Sequence, residues 1–319
     1  MKTCISAAAA VLTLTVVAAF TTLYIQRGTY GVNAVLRRGG SYWVTITPTD
    51  PNLPLAMRTA LMDPPPEAVS GAISWKTIAP GFDITELPVL VAHVEVDRFL
   101  LARIDPAHYR FVTKNAPDGS TYVEDWLLAL GAVFVINGSY YDLVGQPDTP
   151  FVSDGIALGP TNYHATHGAF VVTAGIATIK DLTEGDWRNA LRGAENAMVS
   201  YPLLFSAERR RPDIKATPWL ANRSFVGQDR SGRIILGTTK EAFFSLNRLG
   251  PFLQSAPLDL IAALNLDGGP VACQAIALGN EHHHFCGQWE TQVRGGKLQL
   301  LRWPYGEWPL PIALAVVPK

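Results

Sequence analysis

The chain is short of charge, of cysteine and of repetition. Charged residues make up 17% of its 319 positions, and 26 Lys and Arg nearly cancel 27 Asp and Glu. No basic stripe stands out, which argues against nucleic acid as a partner. Only three cysteines are present, too few for a disulfide-dense scaffold. There is no internal repeat, and no low-complexity segment beyond the leader. What is abundant is apolar surface. Hydrophobic residues make up 48%, enough for a sizeable core and against general disorder. The 23 prolines and 27 glycines are spread along the chain and indicate many turns and short strands.

The leader, residues 1–26, is the clearest compositional feature. After Lys2, "ISAAAAVLTLTVVAAFTTLYI" runs over 5–25 without a charge. About 20 such residues suffice to cross a bilayer as a helix, and a signal peptide is the alternative. The run is long for a signal peptide and lacks a clean A-x-A site, so an uncleaved anchor is favoured. Export, to the periplasm or another extracytoplasmic space, is the simplest use of such a leader, with attachment to the inner membrane if it stays uncleaved; a tethered domain that stays in the cytoplasm is the alternative. Cys4 lies in the leader. Cys273 and Cys286 bracket "QAIALGNEHHHF". A disulfide there, worth roughly 3 kcal/mol in the chain-entropy picture, is preferred to a metal site with His282, His283 and His284, whose spacing matches no zinc pattern.

Residues 27–88 carry proline clusters ("PTDPNLPLAM", "LMDPPPEAVSGA") and read as a linker with some short strands. A regular domain is expected over 89–319. Alternating apolar positions from 89 predict two strands meeting near Asp97 and Arg98. Thr121 and Glu124 have capping-box spacing before "YVEDWLLAL", with Gly131 to close the helix. "AVFVI" (132–136) reads as a buried strand. Further strands are expected at 155–158, 168–173, 176–180, 197–205, 224–228 and 233–238, and in the tail. A helix is expected over 245–255, with Ser245 as its cap and Pro251 as a disturbance. Strands dominate and the alternation with helices is irregular. The expectation is an α+β fold, one domain around a mixed, largely antiparallel sheet with a few flanking helices.

Four polar positions each sit at the end of an apolar run: Asn137-Gly138 in "VINGSYYD", Asp154-Gly155 in "VSDGIAL", Arg223 in "ANRSFVGQDRSGRIIL", and Asp267-Gly268-Gly269 in "ALNLDGGP". Such residues can stand on a rigid floor at a pocket. Singly, each is also an ordinary turn signal. Their order resembles the phosphodiester glycosidase family. "GAVFVINGSYYD" is similar to the family's N-G-G-F-F strand end, "SDG" to its D-G step, "RSFVGQDRSGRIIL" to its R-(T/S)-x-x-G strand and "ALNLDGG" to its acidic corner. The resemblance covers about 90–316. One departure stands out: Pro270-Val271-Ala272-Cys273 follows where the family usually supplies serine hydroxyls.

The resemblance implies a hydrolase cleaving the glycosidic bond of a sugar-1-phosphodiester, in the cell envelope and in exopolysaccharide metabolism. The alternative is a non-catalytic glycan-binding protein on the same scaffold. A phosphate monoester is a good leaving group, which relaxes the need for a general acid. What remains is a cation for the phosphate and a carboxylate for the oxocarbenium ion. Arg223 suits the first role. Asp267 suits the second, as nucleophile, base or electrostatic partner. Asn137 and Asp154 complete the catalytic candidates, while Gly138, Gly155, Gly268, Gly269 and Tyr141 are the substrate-binding ones. No cofactor is expected, although the carboxylates leave a divalent cation open.

Overall fold

The structure, a computed structural model, describes residues 9–22, 43–116, 121–164, 167–183, 185–207, 214–302 and 307–319. Helix α1 spans 9–22. There follow β1 (Trp43–Thr45), α2 (Leu55–Ala60), β2 (Val69–Ser70), β3 (Lys76–Ala79), β4 (Phe82–Val91), β5 (Val94–Ile104) and β6 (Tyr109–Asn115). Next are α3 (Val123–Leu130), β7 (Phe134–Asn137), β8 (Phe151–Ser153), β9 (Ile156–Leu158), β10 (Gly168–Thr173) and β11 (Ile176–Asp181). Then come α4 (Trp187–Ala190), β12 (Asn196–Ser200), β13 (Leu203–Phe205), β14 (Ser224–Asp229), β15 (Ile234–Thr239), α5 (Leu246–Ser255) and β16 (Leu260–Asn265). After a 3-10 turn at Gly269–Val271, the chain closes with β17 (Cys273–Leu278), β18 (Glu281–Cys286), β19 (Trp289–Arg294), β20 (Lys297–Arg302) and β21 (Ile312–Pro318).

These strands form four sheets. The largest has eight strands, in the order β13-β16-β14-β15-β5-β4-β2 with β3 on β4. Two have five strands, β18-β17-β7-β21-β6 and β11-β10-β12-β8-β9, and the last is β1-β20-β19. Alternation of side chains explains the layering. On β7, Phe134 and Ile136 enter a core shared with Val226 and Leu264 of the largest sheet and Phe170 of the second five-stranded sheet. Val135 points the other way, to Trp126 and Leu127 of α3. That is why β7 is apolar at every position before Asn137. On the far face of the largest sheet, Ala56, Met57 and Ala60 of α2 and Phe252 of α5 pack over Phe99 and Phe225. The ring of Phe252 stacks on Phe99 at 5.7 Å.

Several expectations need correction. Every strand pair among the described residues is antiparallel, so the architecture is not mixed. Strands hold 43% of the structure and helices 16%, so it is sheet-dominated rather than balanced α+β. The expected boundary at 88/89 falls inside β4, which pairs with β5 from Phe82 to Val91. Although 43–70 carries prolines, α2 buries its apolar face in the core. The turn expected at Asp97 lies at Ala92 and His93, both with positive φ. Asp97 stands inside β5. Helix α3 is entered at Tyr122, whose N–H bonds the Asp125 carboxylate at 3.2 Å, one residue later than expected. It ends on Gly131 at φ +55. The strand expected at 197–205 is two strands, broken at Tyr201 and Pro202. Cys273 and Cys286 form a disulfide across directly opposed positions of β17 and β18. Of the leader, residues 1–8 and 23–26 lie outside the described residues. No described helix is long and apolar enough to cross a membrane.

Candidate active site

A cleft of about 700 Å³ opens where the ends of β7, β14 and β16 meet the three-stranded sheet. Asp267 and Gly268 form its floor, Arg223 its corner, and Tyr140, Tyr141 and Tyr201 one flank. Trp43, Trp219, Glu290, Gln292, Arg294 and Trp308 also line it. Its volume lies within the range of small-molecule sites.

The floor is built from main-chain clamps. β16 ends at Asn265, and the chain then crosses under β7. The Asp267 N–H donates to the Gly138 carbonyl at 3.1 Å. The Asn137 side-chain amide donates to the Asp267 carbonyl at 2.8 Å, and its oxygen accepts the Cys273 N–H at 3.2 Å. Asn137 therefore fixes both ends of the 267–273 segment. The Gly268 N–H donates to Asp267 Oδ1 at 2.9 Å, which holds the carboxylate in one orientation. A Cβ on Gly268 would come within 2.9 Å of the Asn222 carbonyl. Gly269 has φ +73, and a Cβ there would meet Glu290 Oε2 at 2.6 Å. The acidic corner thus needs both glycines for steric reasons.

Arg223 is 4% exposed. Its Nε donates to the Phe244 carbonyl at 3.1 Å and its Nη2 to the Trp219 carbonyl at 2.7 Å. Nη1 is left on the side of Gly268. Burial lowers the guanidinium pKa, while Tyr140, Glu290 and Asp267 work in the opposite direction. The loop supplying the Phe244 carbonyl is itself anchored. Asp97, 3% exposed, accepts the N–H groups of Arg98, Glu241 and Phe243 at 2.6, 2.8 and 3.3 Å. Burial raises its pKa well above the usual carboxylate value, against those three donors.

The tyrosine flank is rigid. The rings of Tyr140 and Tyr201 stack at 4.1 Å and 17°. The Tyr140 hydroxyl donates to the Tyr201 carbonyl at 2.8 Å and accepts from the Asn265 amide at 2.9 Å. Burial, and then the charge of Asp267, hold its proton well above the usual tyrosine range. Tyr201 is pushed up to about 12, first by burial and then by Tyr163, Asp148 and Asp267. Both are neutral donors at ordinary pH.

Stacked rings, a buried guanidinium and an oriented carboxylate thus line one cleft. The phosphodiester glycosidase family model matches residues 130–316, more than half of the chain. The chain belongs to the phosphodiester glycosidase family. It is similar in structure to the zebrafish N-acetylglucosamine-1-phosphodiester alpha-N-acetylglucosaminidase catalytic domain auto-inhibited by its pro-peptide. The identity there is 16% over 87% of this chain and 88% of that one, with a TM-score of 0.49. It is also similar to a hypothetical protein from Synechocystis, at 15% identity over 78% of this chain and 64% of that one, with a TM-score of 0.47. At such identities neither carries a substrate over. No curated protein matches the chain.

Within this family member, the sequence-predicted residues divide. Asp267, Gly268, Arg223 and Tyr141 reach the cleft. Asn137, Gly138 and Gly269 stand directly behind its floor, as clamps and close contacts. Asp154 and Gly155 do not line it. They turn the β8–β9 hairpin with φ +49 and +78, and the exposed Asp154 carboxylate pairs with Lys114. The histidines are not cleft-lining residues either. His284 lies between Glu124 and Glu307, His164 lines a separate small depression, and His167 packs on Tyr201 at 5.0 Å. Among the described residues no three His, Cys, Asp or Glu side chains are placed to hold a metal ion. In the aromatic stretch 302–308, Trp308 lines the cleft, while 303–306 lie outside the described residues. Sequence reasoning missed Asp148, Tyr201, Trp43, Trp219, Glu290, Gln292 and Arg294. Only the alternation Glu290, Gln292, Arg294 in "WETQVR" could have been seen, as a polar strand face.

Proposed function

We propose that this protein hydrolyses the bond between the anomeric carbon of a sugar and the phosphate of a phosphodiester. The observation that carries the reading is the joint placement of Asp267 and Arg223 at one corner of one cleft, with ring stacking beside them. The sugar lies against the Tyr140–Tyr201 side and Asp267. The phosphate takes Nη1 of Arg223, whose other nitrogens are committed to carbonyls. Water adds to the anomeric carbon as the C–O bond breaks, and the electron pair leaves on the phosphate monoester. The Asp267 carboxylate, oriented by the Gly268 N–H, offsets the positive charge developing on the sugar and is placed to take a proton from the water. A weakly basic leaving group makes a dedicated acid unnecessary. The apolar leader in the sequence supports a site for this reaction in the cell envelope.

A second reading has its own support. Pro270 and Val271, which replace the family's hydroxyl residues, are buried in a 3-10 turn, so this corner offers no side-chain hydroxyl to a substrate. That favours glycan binding without turnover. A panel of α-linked sugar-1-phosphodiesters, assayed with and without chelator beside Asp267→Asn, tests both. Turnover that disappears in the variant supports the hydrolase. Measurable affinity without release of phosphate monoester from any member replaces it with the binding role.

A further inference from the structure

The three-stranded sheet changes character along the cleft. Residues i, i+2 and i+4 of a strand share a face. On β19 these are Glu290, Gln292 and Arg294, all lining the cleft. Glu290 marks the deep end, against Gly269 and close enough to affect Arg223. Arg294 stands four residues on, about 13 Å along the strand. The register sets Lys297 directly opposite Arg294, hence on the same face. Gly295 and Gly296, at φ +57 and +71, make the two-residue turn between them. Like charges directly opposed across an antiparallel pair are destabilising. Among the described residues neither is in an ion pair. The hairpin tip therefore holds two unneutralised cations at the outer end of the cleft, against its own stability. Between the ends lie Gln292 and the Trp219 ring, 48% exposed.

We propose that Arg294 and Lys297 form a second anion subsite, and that the substrate is a polyanionic glycan. It carries a further negative charge on the order of 13 Å from the phosphate at Arg223, on the part of the molecule beyond that phosphate. The inference rests on the reading of Arg223 given above. The shared chemistry is a second anionic group. Its source is either another phosphodiester in a glycosyl-phosphate repeat or the carboxylate of an acidic sugar.

The test measures binding by calorimetry to the full chain, with Asp267→Asn as background to prevent turnover. The probes are one sugar-1-phosphodiester with a neutral disaccharide beyond the phosphate, the same compound with a terminal methyl phosphodiester, and the same with a uronate. The anionic probes should bind about tenfold tighter, as two solvent-exposed charge contacts allow. That preference should collapse on Arg294→Gln with Lys297→Gln, and on adding salt. A gain for the phosphate probe alone assigns a phosphodiester repeat, and a gain for both assigns charge alone. Equal affinity for all three, or a preference that survives the double substitution, overturns the subsite. Turnover of a methyl sugar-1-phosphodiester by the unmodified chain is scored separately. Its failure removes the hydrolase reading while the binding preference still decides the subsite.

Discussion

Two of the three Asp-Gly steps in the chain, Asp154-Gly155 and Asp267-Gly268, lie in the described residues, and they came to opposite ends. At Asp154 the carboxylate is 60% exposed and faces Lys114, and the two left-handed residues simply reverse the chain. At Asp267 the same dipeptide is clamped by Asn137 and Gly138 and lines the same cleft corner as Arg223. The backbone differs, left-handed at Asp154 and Gly155 and extended at Gly268, φ −121. So does the partner brought by distant chain: β7 is 130 residues away from Asp267 in sequence. A turn becomes a site when a buried cation and an unfilled volume are placed beside it.

The largest expected break in this comparison is in turnover. Asp267→Asn keeps the acceptor for the Gly268 N–H but loses the charge, and should lower kcat by roughly 10²–10⁴-fold. Asp154→Asn should stay within about twofold, since an exposed ion pair contributes little. Equal losses in a steady-state assay would mean the two steps were wrongly separated.

Arg223→Lys sharpens the corner itself. The planar fork satisfies two carbonyls and leaves one nitrogen for the substrate, which an ammonium cannot reproduce. A fall of about 10²-fold in kcat/KM is expected, with the fold retained by circular dichroism. Arg233→Lys, whose partner is Asp229 away from the cleft, should leave kcat/KM near the parent value.

The glycines give the next contrast. Gly155→Ala meets open space and costs only the left-handed backbone, about 1–2 kcal/mol. Gly269→Ala has the same backbone penalty and also drives Cβ into Glu290, adding about 1–3 kcal/mol. Urea unfolding should rank Gly269→Ala as the more damaging, and the reverse order would contradict the packing described at the corner.

The smallest effect is alkaline. The Tyr201 pKa is raised from 10.0 to about 12 in the folded chain, so the native state holds the proton more tightly than the unfolded chain does. Its contribution is complete below pH 10.0 and is lost as pH rises towards about 12. Tyr201→Phe should flatten the decline of stability across that window. An unchanged slope would mean another group carries it.

Much of the strand inventory was legible. The hairpin 168–181 and the strands at 224–239 follow from apolar alternation between turn residues, a local signal. The helix α5 survived Pro251 because Leu249, Phe252 and Leu253 bury one face. The boundary at 88/89 was misplaced because short proline-flanked strands carry no periodicity of their own and are held by β4. In the site, Asp267 and Arg223 were legible from motif order. Tyr201, Trp219 and Glu290 were not, because each looks like an ordinary core or surface residue until the fold brings it beside Asp267.

By itself the sequence determined the turns, most of the strands and the acidic and basic residues available, since these depend on local backbone preference and side-chain chemistry. Only the tertiary structure decided which carboxylates stand near Arg223, that Asn137 serves as a clamp, and that the face of β19 lines the cleft. Those outcomes depend on antiparallel register between strands far apart in the chain, where a shift of one residue would turn each of these side chains to the opposite face.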